Sequence, residues 1–247
     1  MIILLCGTAL SYAQDSTNSR YPFGEGLSLQ SGIGYLALRD EYISNDKYTG
    51  SVPLFALAWS KWHEAYGFRL QLESQYTNKL EGPNIHAELT QIRLALSYLY
   101  PLANTEICSR VVHFFAGPTL EVFEHYQLNQ IAGSEFLSSN VGLIAGALRL
   151  EAFYPLTGKF RLLAMGQCTA LSMVVHSTNS NDPGISPTKV LTPFKGLDAE
   201  WQVGASWLFA KSFDLSAAYR FDVTRVTAWD YFISANDNLI ISLSYAL

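Results

Sequence analysis

Apolar and polar side chains alternate along most of this chain with a period of two, over runs longer than an ordinary strand. In 66–77, Tyr66, Phe68, Leu70, Leu72 and Tyr76 fall on one face, and Arg69, Gln71, Glu73, Gln75 and Thr77 on the other. In 88–100, Ile92, Leu94, Leu96, Tyr98 and Tyr100 oppose Gln91, Arg93, Ala95 and Ser97. In 213–224, Phe213, Leu215, Ala217, Tyr219, Phe221 and Val223 oppose Asp214, Ser216, Ala218, Arg220 and Asp222. The last segment sets Leu239, Ile241, Leu243, Tyr245 and Leu247 against Asn238, Ser242 and Ser244. The pattern predicts strands with one apolar face. Further strands are expected near 25–39, 51–63, 110–126, 139–154, 159–174 and 199–209. Ordinary strands average about 5–6 residues, whereas a strand crossing a bilayer needs about 9–11.

Composition narrows the choice. Only 15% of residues are charged, against 49% hydrophobic. The charged share falls well below the roughly one quarter of soluble domains. Lys and Arg number 16 and Asp and Glu 21, a net charge of −5 that excludes a nucleic-acid binder working through bulk basic charge. No apolar run approaches the length of a membrane helix.

The first ten residues form a short apolar core, followed by Ser11-Tyr12-Ala13 as a small-x-small cleavage site. Residues 1–13 therefore read as an export signal with Gln14 as the mature start. The core lacks a preceding Lys or Arg, which a start codon read too late would explain. The other reading is a buried N-terminal strand, which the polar run Gln14 to Arg20 disfavours. Leu5 stands before Cys6 where lipoprotein processing wants a small residue. Cys108 and Cys168 are expected on different hairpins at different heights, too far apart for a disulfide.

Aromatic residues crowd the expected strand ends, as at Tyr98 and Tyr100, Tyr154, Trp207 and Phe209, and Trp229, Tyr231 and Phe232. Such girdles mark the two interfaces of a membrane barrel. The connections near Glu64-Ala65, 155–158 and 210–212 are short. Those at 40–50, 78–85, 127–138, 175–198 and 227–237 are longer and polar, while 101–109 is a longer connection on the short side. These features predict an all-β, antiparallel up-and-down transmembrane barrel over 25–247. About ten strands are expected, or eight if 51–77 has been divided once too often. Residues 14–24 would be a periplasmic segment, and no further domain is expected because the last strand ends at residue 247. A soluble sandwich or a lipocalin-like barrel also alternates, but its apolar face points inward and needs no aromatic belts.

With the apolar face toward lipid, Arg69, Glu73, Arg93, Glu121, Arg149, Glu151, Arg161, Glu200, Arg220 and Asp222 line the lumen. A barrel of eight to ten strands is nearly filled by its own side chains. Unpaired buried charge is costly, so these groups should form a plugged, salt-bridged core. A narrow solute path is the alternative role for the same residues. The histidines His63, His86, His113, His125 and His176 form no metal-ligand cluster, and no cofactor motif occurs. Gly142 and Gly146 on a strand point to thin packing or a bend.

The segment Val175-His176-Ser177-Thr178-Asn179-Ser180 resembles the His-x-Ser-Asn segment of PagL-type lipid A deacylases. That likeness implies His176 as a base at the outer membrane surface, with Ser177 or Thr178 as the hydroxyl nucleophile. The hydroxyl in matching register is Thr178, and no acidic residue follows before Asp198 and Glu200. The preferred reading of the Asn, Asp, Pro and Gly there is a turn-rich surface loop, where they serve backbone geometry. A second likeness joins Tyr42-Ile43-Ser44-Asn45-Asp46-Lys47-Tyr48-Thr49-Gly50 and Asn179-Ser180-Asn181-Asp182-Pro183. These are similar to segments of an uncharacterised outer-membrane protein family of Bacteroidetes. That resemblance implies a barrel in a Gram-negative cell envelope and no reaction.

Three function classes follow. The first is a non-enzymatic outer-membrane barrel whose extracellular loops serve envelope structure, adhesion or complex assembly. The second is a lipid A deacylase-like hydrolase, and the third a narrow solute channel. The first is the expected one. It needs no cofactor and no metal, has outer-membrane lipid and lipopolysaccharide as surroundings, and leaves room for an envelope protein partner.

Overall fold

The computed structural model describes 24–41, 43–83, 85–108, 110–131, 135–178, 188–227 and 231–247. The export signal read at 1–13 lies outside the described residues. So does the periplasmic segment 14–24 except for Gly24, which opens the first strand.

Eleven strands follow in order: β1 (Gly24–Asp40), β2 (Ser44–His63), β3 (Tyr66–Glu81), β4 (Ile85–Ile107), β5 (Arg110–Ile131) and β6 (Glu135–Pro155). They continue as β7 (Phe160–Thr178), β8 (Thr188–Leu191), β9 (Gly196–Ala210), β10 (Phe213–Val226) and β11 (Phe232–Ala246). Each long strand pairs antiparallel with the next, β7 pairing β9 as well as the short β8, and β1 pairs β11 from Gly26↔Ala246 to Asp40↔Phe232. The sheet thereby closes into a ten-strand barrel with β8 as an extra short strand. Closure gives each of the ten long strands a partner on both sides, the one β solution in hydrocarbon, while β8 pairs β7 alone.

The barrel is inside out. Leu29, Ile33, Phe55, Leu72, Leu148, Leu239 and Ile241 are exposed on its outer face. Arg220, Glu121, Gln127, Asn129 and Asn238 are buried in its interior. A row of aromatic rings lines the turn end across β7, β9, β10 and β11, where Phe160 stacks on Trp207, followed by Phe209, Phe213 and Tyr245 at centroid spacings of 5.0 to 6.0 Å. Amphipathic rings at this level mark a membrane–water interface.

The strands run past the expected boundaries. Residues expected as connections at 40–50 and 127–138 are largely strand in β2, β5 and β6, leaving breaks of a few residues. Beyond the bilayer both faces of a hairpin are wet, so alternation vanishes and the sequence reads as loop although the backbone still pairs. At 101–109 the expected connection is also strand. β4 and β5 continue as a paired hairpin to a turn where Cys108 has φ of 50°. Pro101 sits beside a register shift in that hairpin, where its missing N–H costs no ladder bond. Cys108 and Cys168 are both exposed and are not joined to each other.

The expected 175–198 loop contains the most consequential departure. β7 pairs β9 from Phe160↔Trp207 to Cys168↔Ala199, and then pairs β8 from Ser172↔Leu191 to Val175↔Thr188. One wall position of the barrel is thus built from two pieces, β8 and β9, with 192–195 thrown outward between them. The Thr169 hydroxyl bridges the break, donating to Asp198 O at 2.9 Å and accepting from Asp198 N at 3.1 Å. Ser172 Oγ donates to Gly196 O at 3.3 Å.

Candidate functional site

The lumen is the densest concentration of chemistry in the molecule, and it is layered. At the loop end, Leu36, Leu38, Tyr48, Leu80, Phe123 and Phe232 belong to an apolar cluster that fills the bore. At the turn end, Trp62, Leu99, Phe115 and Phe153 form a second plug, with Trp62 edge-on to both phenylalanines at 5.1 Å. Between them lies the charged layer.

Arg220 holds both carboxylate oxygens of Glu73 at 2.6 and 2.7 Å across the lumen. Arg93 reaches Glu121 at 2.9 Å, Glu200 at 3.2 Å and Asp198 at 3.3 Å. Arg149 pairs with Glu151 at 2.6 Å on its own strand; past the turn-end plug, at the rim, Arg161 opposite Pro155 pairs with Asp214 at 3.1 Å. Asp222 lies 3.5 Å from Arg220 and accepts from Asn238 Nδ2 at 3.1 Å.

Of the ten residues assigned to the lumen from sequence, nine are buried and engaged in these pairs. Arg69 is half-buried nearer the turn end, donating to Gln71 Oε1 at 2.9 Å. Gln71 and Gln75 in turn donate to Glu73, so β3 carries a polar ladder on its inner face.

Buried carboxylates outnumber buried guanidiniums, and neutral donors supply the difference. Gln167 Nε2 donates to Glu121 at 2.5 Å, Thr224 Oγ1 to Asp198 at 2.5 Å and Ser139 Oγ to Asp40 at 2.7 Å. In a low dielectric such bonds hold an anion that would otherwise be unaffordable. Sequence reasoning missed Asp198, Asp40 and Asp214 as members. Asp198 shares the inward parity of Glu200, and extending the expected strand 199–209 by one residue would have found it. Asp40 fell in an expected loop.

His176 was expected at the outer membrane surface; it is instead buried and faces the interior. The strand parity of β7 turns it inward, away from lipid. Its Nε2 lies 3.1 Å from Ser139 Oγ, which also bonds Asp40. The serine therefore stands between the histidine and the carboxylate. A hydrolytic relay needs the histidine in the middle, oriented by the carboxylate and facing the nucleophile. The side chains of Ser177 and Thr178 lie outside the described residues, as do Tyr42 and 179–183.

The other histidines serve local geometry. His125 Nδ1 bonds Gln91 Nε2 at 2.9 Å among the rings of Phe123 and Phe232 of the apolar cluster, and His63 Nδ1 accepts from Ala65 N at 3.2 Å in the β2–β3 turn. Among the described residues no three His, Cys, Asp or Glu side chains converge as metal ligands. Two open surface recesses of about 380 and 350 Å³ lie at opposite ends of the barrel and outside the charged layer.

No protein-family model and no curated protein matches the chain. Solved structures do. The translocator domain of the autotransporter NalP from Neisseria meningitidis aligns with a TM-score of 0.50 and 10% identity, over 91% of this chain and 89% of that one. The outer membrane protease OmpT from Escherichia coli aligns with a TM-score of 0.47 and 10% identity, over 92% and 98%. Neisserial surface protein A aligns at 0.40 with 10% identity, over 90% and 97%. The fold is that of outer-membrane β-barrels. Identities this low speak to architecture alone.

Proposed function

We propose that this chain is a small, non-enzymatic outer-membrane barrel whose bore is a structural element and whose working surface is its extracellular hairpins. Those hairpins would serve envelope structure, adhesion or complex assembly. The export signal read at 1–13 belongs to the same reading. The observation that carries it is the layered lumen: a charged, mutually paired centre between two apolar plugs. A conduction path needs wet, weakly held polar groups along its length. Here the charged groups of the centre are committed to one another, and an apolar cluster crosses the bore on either side of them.

Planar-bilayer recording of the refolded protein tests this directly, with silence expected across ±100 mV at roughly physiological ionic strength. Discrete conductance steps would replace this reading with the channel. The hydrolase reading has weaker support, because the order Asp40, Ser139, His176 does not make a relay. Incubation with purified lipopolysaccharide should leave its acyl pattern unchanged for wild type and His176→Ala alike. Loss of one acyl chain with wild type and not with the variant would reinstate it.

A further inference from the structure

The outer wall at the loop end is chemically lopsided. β9, β10, β11 and β1 place Leu197, Arg225, Ile233 and Arg39 in one cross-strand row. Tyr231 stands just above Ile233, and both guanidiniums lie over its ring, Arg39 at 5.8 Å and Arg225 at 5.5 Å from the centroid. Lys195 follows on the neighbouring strand, where its carbonyl accepts from Thr227 N at 2.8 Å. Beside it opens the recess of about 380 Å³ between Lys189, Thr192 and Lys195. The outward turn at 192–195 leaves Phe194 90% exposed, next to Val190 at 69%. The opposite wall, on β4 and β5, carries Glu88 and Glu124 outward instead. In a chain of net charge −5, cations have gathered on one side.

Height fixes what this patch meets. Arg225 lies twelve positions along β10 from Phe213 of the aromatic belt. At about 3.3 Å per residue and a tilt near 40°, it stands roughly 30 Å above that belt, while the apolar band of such barrels is roughly 25 Å tall. The patch therefore sits at the headgroup level of the far leaflet. Its cations spread over three strand spacings, roughly 14 Å at about 4.8 Å each. That is wider than one phosphodiester and suits a headgroup phosphorylated at both ends. Arg39 is already paired with Glu41 at 2.7 Å, so a ligand would share it. Asp237, lower on the same wall, is engaged by the Tyr219 hydroxyl. Arg225 and Lys195 have no ion-pair partner among the described residues.

We infer that this wall binds a diphosphorylated glycolipid of the outer leaflet, with Arg39 on one phosphate, Arg225 and Lys195 on the other, Tyr231 positioning both guanidiniums, and Phe194 and Val190 as apolar contacts flanking Lys195. Guanidinium and ammonium groups bind phosphate at such interfaces through charge-assisted hydrogen bonds. The site rests on the outer-membrane placement and not on the silence of the bore, so a conducting barrel would leave it standing.

Native mass spectrometry of the refolded protein in detergent tests it. The probes are a diphosphorylated lipid A, the same lipid after phosphatase treatment, and phosphatidylglycerol. Wild type should retain the diphosphorylated form at least tenfold better than either other lipid. Arg225→Ala with Lys195→Ala should weaken it by roughly fivefold per charge removed. Lys159→Ala with Lys211→Ala, at the turn end away from the patch, should stay within twofold, and Arg225→Lys should restore part of the affinity. Heat-shifted gel migration reports folding of every variant. Equal retention of dephosphorylated lipid or of phosphatidylglycerol, or a double variant that binds like wild type, would overturn the site.

Discussion

Arg220 on β10 and Glu73 on β3, 147 residues apart in sequence, meet across the lumen through two parallel N–H···O contacts of 2.6 and 2.7 Å. The bidentate geometry suits two groups that would otherwise be stranded away from water. Glu200 and Asp222 also lie within 3.9 Å of the same guanidinium. Arg220 is therefore the hub and Glu73 one of its spokes.

Losing the hub should cost more than losing a spoke. Arg220→Met leaves three carboxylates facing one another and is expected to destabilise the barrel by about 3–5 kcal/mol. Glu73→Gln keeps the shape and one acceptor and should cost less. Glu73→Leu combined with Arg220→Met should recover part of the loss. Urea unfolding in lipid vesicles, followed by tryptophan fluorescence, ranks the three. Indifference to Arg220→Met would mean that the charged layer contributes nothing to stability.

The turn-end plug is an aromatic core in miniature. Phe153→Ala removes a ring packed edge-on to Trp62 at 5.1 Å and should cost about 3–5 kcal/mol. Bilayer recordings of that variant should stay silent, because the ion-paired layer still fills the bore. Current through Phe153→Ala alone would assign the seal to the plug rather than to the charges.

Depth in the membrane should be readable on one strand. Leu239 is exposed toward mid-bilayer on β11, whereas Tyr245 stacks in the belt against Phe213. Leu239→Arg should cost about 2–4 kcal/mol and Tyr245→Arg about 0–1 on the charge term. Equal costs in vesicle unfolding would contradict the placement of the apolar band.

Two glycines should behave oppositely. A Cβ on Gly117 would meet the backbone carbonyl oxygen of Tyr98 on the neighbouring strand, which cannot move without breaking the ladder. A Cβ on Gly142 would have its nearest neighbour, Val175, at 3.9 Å. Gly117→Ala is expected to cost about 1–3 kcal/mol or to lower the folded yield. Gly142→Ala should be within about 0.5 kcal/mol of wild type. Refolding yield by gel migration separates them.

The period-two pattern by itself determined the barrel, its inside-out polarity and the lumen parity of residues such as Glu73, Arg93 and Arg220. Those follow from local rules: side chains alternate along a strand, and hydrocarbon accepts only the apolar set. Gly142 and Gly146, read as thin packing or a bend, lie on β6, and a register shift against β7 falls between Gly146 and Ala147. Tertiary structure alone decided that Arg220 meets Glu73 and that Arg93 gathers Glu121, Asp198 and Glu200. It also decided that apolar plugs close both ends and that Arg39, Tyr231 and Arg225 stack on one wall. Each of these depends on which strands become neighbours when the sheet closes, and on how far each strand is staggered. Closure brings β1 against β11 and sets opposite walls face to face, and no stretch of the sequence taken singly carries that information.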